Sequence, residues 1–195
     1  ELFIWKVIFF SIFFFLSIKI LSFFDNINAI NLKFLWSTVL IIFLLGIFYL
    51  CKKRIIFSDI SKKKDYILSF EFYFIVLILT LTFINSLLYP PNTLDAMSYH
   101  MTKVMHWAQN SNVNFYPTQD LRQLILAPFA EYVILHLYLL SGTDSFSNLV
   151  QWYSMFISCM AVSLIVKEFG CNYKLQIFSI LFCTTLPMGI LQSSS

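Results

Sequence analysis

Phe34–Leu50 reads FLWSTVLIIFLLGIFYL, seventeen residues without one charge. That is close to the roughly 18 to 20 apolar residues that span the hydrocarbon of a bilayer. Working outward, the same texture recurs. Glu1–Phe24 carries only Glu1, Lys6 and Lys19 as charges, and Ile67–Tyr89 carries only Glu71. Leu149–Val166 and Leu175–Leu191 are similar. Over 195 residues, 59% are hydrophobic, 19% aromatic and 12% charged, against about 25% charged in soluble domains. In lipid the backbone must satisfy its own hydrogen bonds, so such segments are helical. The expected fold is all-α: a polytopic transmembrane helical bundle of five spans.

The first run has Lys6 and a long apolar stretch but no small-residue cleavage site, so it reads as a retained helix rather than a signal peptide. The chain begins at Glu1 and stops at Ser195. It is expected to be a piece of a longer reading frame, with residues 1–65 forming two helices and a basic loop, and 66–195 a second unit.

Basic residues set the orientation. Lys52, Lys53, Arg54, Lys62, Lys63 and Lys64 supply six of the 13 Lys and Arg in one short loop. The positive-inside rule puts that loop in the cytoplasm. The net charge of +3 is then mostly topology, and no nucleic-acid partner is implied. The third helix delivers the chain to the outer side near Leu88-Tyr89-Pro90-Pro91. Residues 90–148 are mixed in composition, with Asp95, Asp120, Glu131 and Asp144 against Lys103 and Arg122. Lys167 and Lys174 mark the next turn as cytoplasmic. This requires an even number of crossings between Asp95 and Asn148, most simply none. Pro128–Leu140, about thirteen residues, is too short to cross comfortably and reads as an interfacial helix. If residues 127–141 do cross, everything after them inverts.

The chemistry lies in this outer loop. Thr93 is placed to cap a helix after Pro90-Pro91. Met97, Met101, Val104, Met105 and Ala108 then fall on one helical face, and Asp95, Ser98, Thr102, His106 and Gln109 on the other. The pattern predicts an amphipathic juxtamembrane helix lying on the membrane, apolar side down. Asp95 would stand in its first turn, where the helix dipole favours the carboxylate. Such a carboxylate can act as a general base or merely complement the dipole. His100 and His106 are six apart and read as polar surface histidines, not a metal pair. Arg122 is the only arginine outside the cytoplasmic loop; its guanidinium suits phosphate, although position taken alone favours a snorkelling role. Glu131 sits in the first turn of the second surface helix. Tyr99, Trp107, Tyr116, Tyr132 and Trp152 read as interfacial anchors. The cysteines show no metal or disulfide spacing. No nucleotide-binding glycine motif and no internal repeat occurs.

The stretch Pro91-Asn92-Thr93-Leu94-Asp95-Ala96-Met97-Ser98-Tyr99-His100, with Lys103-Val104-Met105-His106-Trp107, Tyr116-Pro117-Thr118 and Leu126-Ala127-Pro128-Phe129-Ala130-Glu131-Tyr132, resembles the first outer loop of GT-C superfamily membrane glycosyltransferases. Protein O-mannosyltransferases and bacterial aminoarabinose transferases share this layout; the chain is most similar to an uncharacterised bacterial branch. The resemblance covers roughly Tyr66 to Ser195. It implies transfer of a sugar, with inversion, from a polyprenyl-phosphate donor to a lipid, glycan or protein acceptor on the outer side of the bacterial inner membrane. It implies that Asp95 engages or deprotonates the acceptor hydroxyl. Glu131 would position the acceptor and Arg122 would contact the donor phosphate. The sequence departs from the pattern at Ala96, where many relatives have a second acid, and at Ala127, where many have a lysine. Phosphate contact then falls to Arg122, Lys103 or His106. No cofactor is implied with certainty, and a divalent metal is left open. A second acidic site would lie past Ser195, so this piece is expected to be inactive alone.

Two other classes fit a polytopic chain. A transporter or flippase would place ionisable or helix-breaking residues at the bilayer midplane; Pro187, Gly189 and Glu71 lie nearer span ends. A polysaccharide polymerase or ligase would need more cations than the two in this loop.

Overall fold

The apolar runs become helices of membrane-crossing length. The computed structural model describes residues 2–52 and 70–193. In chain order they form α1 (Leu2–Phe23), α2 (Ala29–Lys52) and α3 (Phe70–Leu88), then a π-helical turn (Ala96–His100) running into α4 (Met101–Asn110). The short α5 (Arg122–Ile125), α6 (Phe129–Ser141), α7 (Asn148–Glu168), α8 (Tyr173–Thr184) and α9 (Pro187–Ser193) follow. No strand occurs among the described residues. α1, α2, α3 and α7 are each long and apolar enough to cross a membrane. Ile42, Leu45 and Phe48 of α2 stand well exposed on a helix with no polar face, a surface that suits acyl chains and not water. The chain is an integral membrane protein. Of the basic residues of the expected cytoplasmic loop, Lys52 ends α2 and those at 53–64 lie outside the described residues.

The fifth expected span is not one straight helix. α8 and α9 meet at 67°, with the break at Thr185-Leu186 just before Pro187. Proline has no N–H for the preceding turn and its ring clashes with the carbonyl four residues back. Length and hydropathy are blind to that; the proline is not.

α3 and α7 pack antiparallel. Trp152 Nε1 donates to the Leu79 carbonyl at 3.1 Å, and Asn148 Nδ2 donates to the Tyr89 carbonyl at 3.0 Å. The chain therefore leaves and re-enters this pair at one end, and α6 adds no crossing, as the charge bookkeeping requires. At 1.5 Å per residue α6 is about 20 Å long, short of the hydrocarbon thickness. α6 does not float on the interface, however. It packs against α1, α2 and α4, with His136 against the Phe14 ring at 4.7 Å and Tyr132 against Phe15 at 6.1 Å.

The turn between α1 and α2 is built from short polar residues. Asp25 takes a left-handed φ of 48°, which aspartate tolerates better than most residues. Asn28 Oδ1 accepts from the Asn31 N–H at 2.9 Å and caps α2. This turn is fastened to the loop after α4: Ile27 N–H donates to the Ser111 carbonyl, and Val113 N–H to Ser22 Oγ, each at 2.9 Å. The resulting core joins Ile18, Ile27, Val104, Trp107, Tyr132 and Leu135.

The helix after Pro91 departs from its expected form. Thr93 Oγ1 does accept from the Ala96 N–H, at 3.3 Å, as a cap. But Ala96–His100 is π-helical: the Met101 N–H bonds to the Ala96 carbonyl, five residues back. That wider turn shifts the phase of everything after it. The buried face of α4 becomes Met101, Lys103, Val104 and Trp107, while Met97 and Met105 point outward. The apolar face expected from a uniform 3.6-residue period is thus only half right. The expected anchors are corrected too. Trp107, Tyr116 and Tyr132 are core residues, and Trp152 is committed to α3.

Candidate functional site

Two side-chain clusters flank the π-helical turn, one open and one buried. Asp95 belongs to the open one. Its side chain is 70% exposed, and Arg122 Nη1 lies 3.6 Å from Oδ1. Arg122 comes from α5, one helical turn held in place by Asp120. The Asp120 carboxylate accepts from Arg122 Nη2 at 2.7 Å, from Nε at 3.0 Å and from the Arg122 backbone N–H at 3.0 Å. This bidentate pairing holds the Asp120 carboxyl below its usual range and raises the already high pKa of the guanidinium. The guanidinium also lies 4.9 Å over the Tyr99 ring. Partial burial, and then the Asp95 charge, push the Tyr99 phenol up, so it stays neutral. Arg122 is therefore anchored through Asp120 and Tyr99, with one edge turned towards Asp95.

The buried cluster joins Glu131, His100 and Lys103. Glu131, in the first turn of α6, is fully buried. Its Oε1 lies 3.1 Å from His100 Nδ1 and 3.7 Å from Lys103 Nζ. Lys103 is 3% exposed; its ammonium also donates to the Leu126 carbonyl at 3.2 Å and sits 5.2 Å over the Trp107 ring. Glu131 Oε2 is buried with no hydrogen-bond partner. A carboxylate taken fully out of water is tolerated only when paired, and here a lysine and a histidine from the neighbouring helix supply the pairing.

Gln123 links the two clusters. Its Nε2 donates to the Ser98 carbonyl at 3.0 Å, inside the π-helical turn, and its Oε1 accepts from Tyr116 OH at 2.9 Å. Burial raises the Tyr116 phenol, which keeps it a donor. His106 stacks on the Tyr116 ring, centroids 4.2 Å apart. The loop between α4 and α6 is thus pinned to the turn that carries Asp95.

The residues singled out in the sequence fall into three places. Asp95 and Arg122 come together at the surface. Glu131 and Lys103 come together in the core. His106 stands apart against Tyr116. His100, expected as a surface histidine, is instead the ring that reaches Glu131. One signal for it was available: His100, Lys103 and Trp107 are spaced three and four apart, one face of a helix. Its partner, 31 residues away, had no local signature. Among the described residues no group of three or more His, Cys, Asp or Glu side chains gathers as a metal site.

Compared with protein-family models, curated proteins and solved structures, the chain matches none.

Proposed function

We propose that the chain carries the acceptor-activating part of an inverting glycosyltransferase that uses a polyprenyl-phosphate sugar donor at the outer face of the bacterial inner membrane. The observation that carries this reading is Asp95: an accessible carboxylate on a pinned turn just past the end of a spanning helix, with a guanidinium 3.6 Å away. The outer-loop sequence resembling GT-C enzymes supplies the reaction class.

In the proposed reaction an acceptor hydroxyl approaches Asp95. As its oxygen bonds to the anomeric carbon from the face opposite the donor phosphate, the hydroxyl proton passes to the Asp95 carboxylate. The bond from the anomeric carbon to the phosphate oxygen breaks, and its electron pair leaves on the lipid phosphate. Arg122, 3.6 Å away, orients the Asp95 carboxylate. Glu131 acts from inside, fixing His100 and Lys103 and through them the π-helical turn.

The test compares wild type with Asp95→Asn in membranes, at matched expression, for transfer of radiolabelled sugar from polyprenyl-phosphate donors. Asparagine keeps the shape and removes the base, so the expected loss is about 100-fold or more. Full activity in the variant would reduce Asp95 to a helix-start residue. One observation favours a second reading, a transporter: the 67° break between α8 and α9, since broken helices line transport sites. Uptake or flipping of a labelled substrate by reconstituted protein, undiminished by Asp95→Asn, would decide for it.

A further inference from the structure

Beside the buried ion cluster lies a cavity of about 230 Å³. Its wall takes Lys19 from α1, Lys103 and Trp107 from α4, Tyr116 and Gln123 from the segment that follows, and Tyr132 from α6. No carboxylate lines it. Lys103 already answers Glu131 and the Leu126 carbonyl. Lys19 answers nothing of opposite charge: no carboxylate of the described residues stands within ion-pair distance of it.

A lysine near the end of a spanning helix ordinarily snorkels, stretching its ammonium away to water. Lys19 does not. Its Nζ is turned across onto α6, 5.5 Å from the centroid of the buried Tyr132 ring and 6.0 Å from that of Phe15. Lys19 precedes the end of α1 at Phe23 by four residues, which is about 6 Å of helix. In a helix that spans the bilayer, that position lies near one edge of the hydrocarbon. With Lys19 uncompensated, Lys103 shared with Glu131 behind the wall, and apolar and aromatic walls, the cavity suits an anion carried on an apolar body. Near that edge, an anion on an apolar body is most simply a lipid phosphate.

We infer that Lys19 and Lys103 clamp the phosphate of a lipid headgroup in this cavity, so that α1 supplies part of the binding site. Identifying this lipid with the glycosyl donor rests on the transferase reading; the phosphate site itself does not. Gln123 lies on the cavity wall, while its neighbour Arg122 faces Asp95, so α5 borders both.

The test titrates the purified protein in detergent micelles with a polyprenyl phosphate, the matching polyprenol and inorganic phosphate, using wild type, Lys19→Gln and Lys19→Arg. Lys19 is exposed, so neither variant disturbs the core. The polyprenyl phosphate should bind wild type. Lys19→Gln should weaken it about tenfold, the cost of losing one charge-assisted hydrogen bond, and Lys19→Arg should stay near wild type. Polyprenol and inorganic phosphate should both bind much more weakly than the polyprenyl phosphate. Unchanged binding in Lys19→Gln, or equal binding of the polyprenol, overturns the site. Inorganic phosphate binding as tightly as the lipid overturns the lipid source. The transfer assay separates this inference from the proposed function. Lys19-dependent binding without Asp95-dependent transfer leaves the phosphate site standing and removes the transferase. Asp95-dependent transfer with binding indifferent to Lys19 does the reverse.

Discussion

Glu131 is the residue on which the loop's order most depends. Replacing it with alanine would leave Lys103 buried against Trp107 without a carboxylate, and breaking a buried pair from one side costs about 3–5 kcal/mol. Glu131→Ala should therefore unfold at markedly lower temperature in mild detergent. Glu131→Leu combined with Lys103→Met, which removes both charges, should recover much of that loss. A double variant no more stable than Glu131→Ala would show that the pair contributes nothing specific. At this scale the sequence was half legible. Asp95 and Arg122 stood out because charges are rare in the chain. Lys19 was hidden because a lysine near a helix end has an ordinary explanation. Glu131 looked like a dipole-complementing surface acid because nothing in its own helix reveals that a second helix covers it.

Among the elements, α6 carries the most unexpected packing. His136 lies against Phe14 and Trp36 of the first two helices, its Nδ1 donating to the Tyr132 carbonyl at 2.8 Å and its Nε2 3.4 Å from Ser17 Oγ. Burial lowers the His136 pKa below that of a free histidine. The unfolded chain then binds the proton more readily than the folded one. Stability contributed here is intact above the unfolded value of about 6.5 and declines as pH falls below it. Thermal unfolding between pH 7.5 and 5.5 should show wild type losing stability on acidification, and His136→Phe, which keeps the aromatic contact, losing less. Equal slopes would remove His136 as the cause. Element type and length were readable from hydropathy because a bilayer imposes them. The π-helical turn was not, because a five-residue step leaves no periodic mark in five residues. Pro187 was noticed in the sequence, but its consequence, a bent pair in place of a span, needed the geometry.

Across the whole molecule, α3 and α7 fix one end of the bundle as the place where the π-helical turn, α4, α5 and α6 gather, with the α1–α2 turn fastened to the same end. The turn at Phe169-Gly170-Cys171 lies beyond the far end of α7. The positive-inside reading assigns the first end to the outside. In intact cells a membrane-impermeant maleimide should label a cysteine introduced at the exposed Thr143 and spare the native Cys171 until the membrane is permeabilised. The opposite pattern would invert the topology and move Asp95 to the cytoplasmic face. The fastening of the first two helices to this end was not legible, since its bonds join backbone and short polar groups far apart in sequence, 91 residues for Ser22 and Val113, with no motif to advertise them.

The hydrogen bond from Asn148 to the Tyr89 carbonyl joins residues 59 apart, and so brings the two mouths of a long excursion to one point. A loop whose ends coincide imposes little on the frame that holds it, and lengthening it costs only slowly growing closure entropy. The membrane frame of α3 and α7 can thus accept a different surface insert, carrying a different specificity, without being rebuilt. The tether to the α1–α2 turn and the packing of α6 on α1 and α2 limit that freedom, and a graft that kept Ser22 and Ile27 satisfied and covered the same face of α1 and α2 would inherit the same docking.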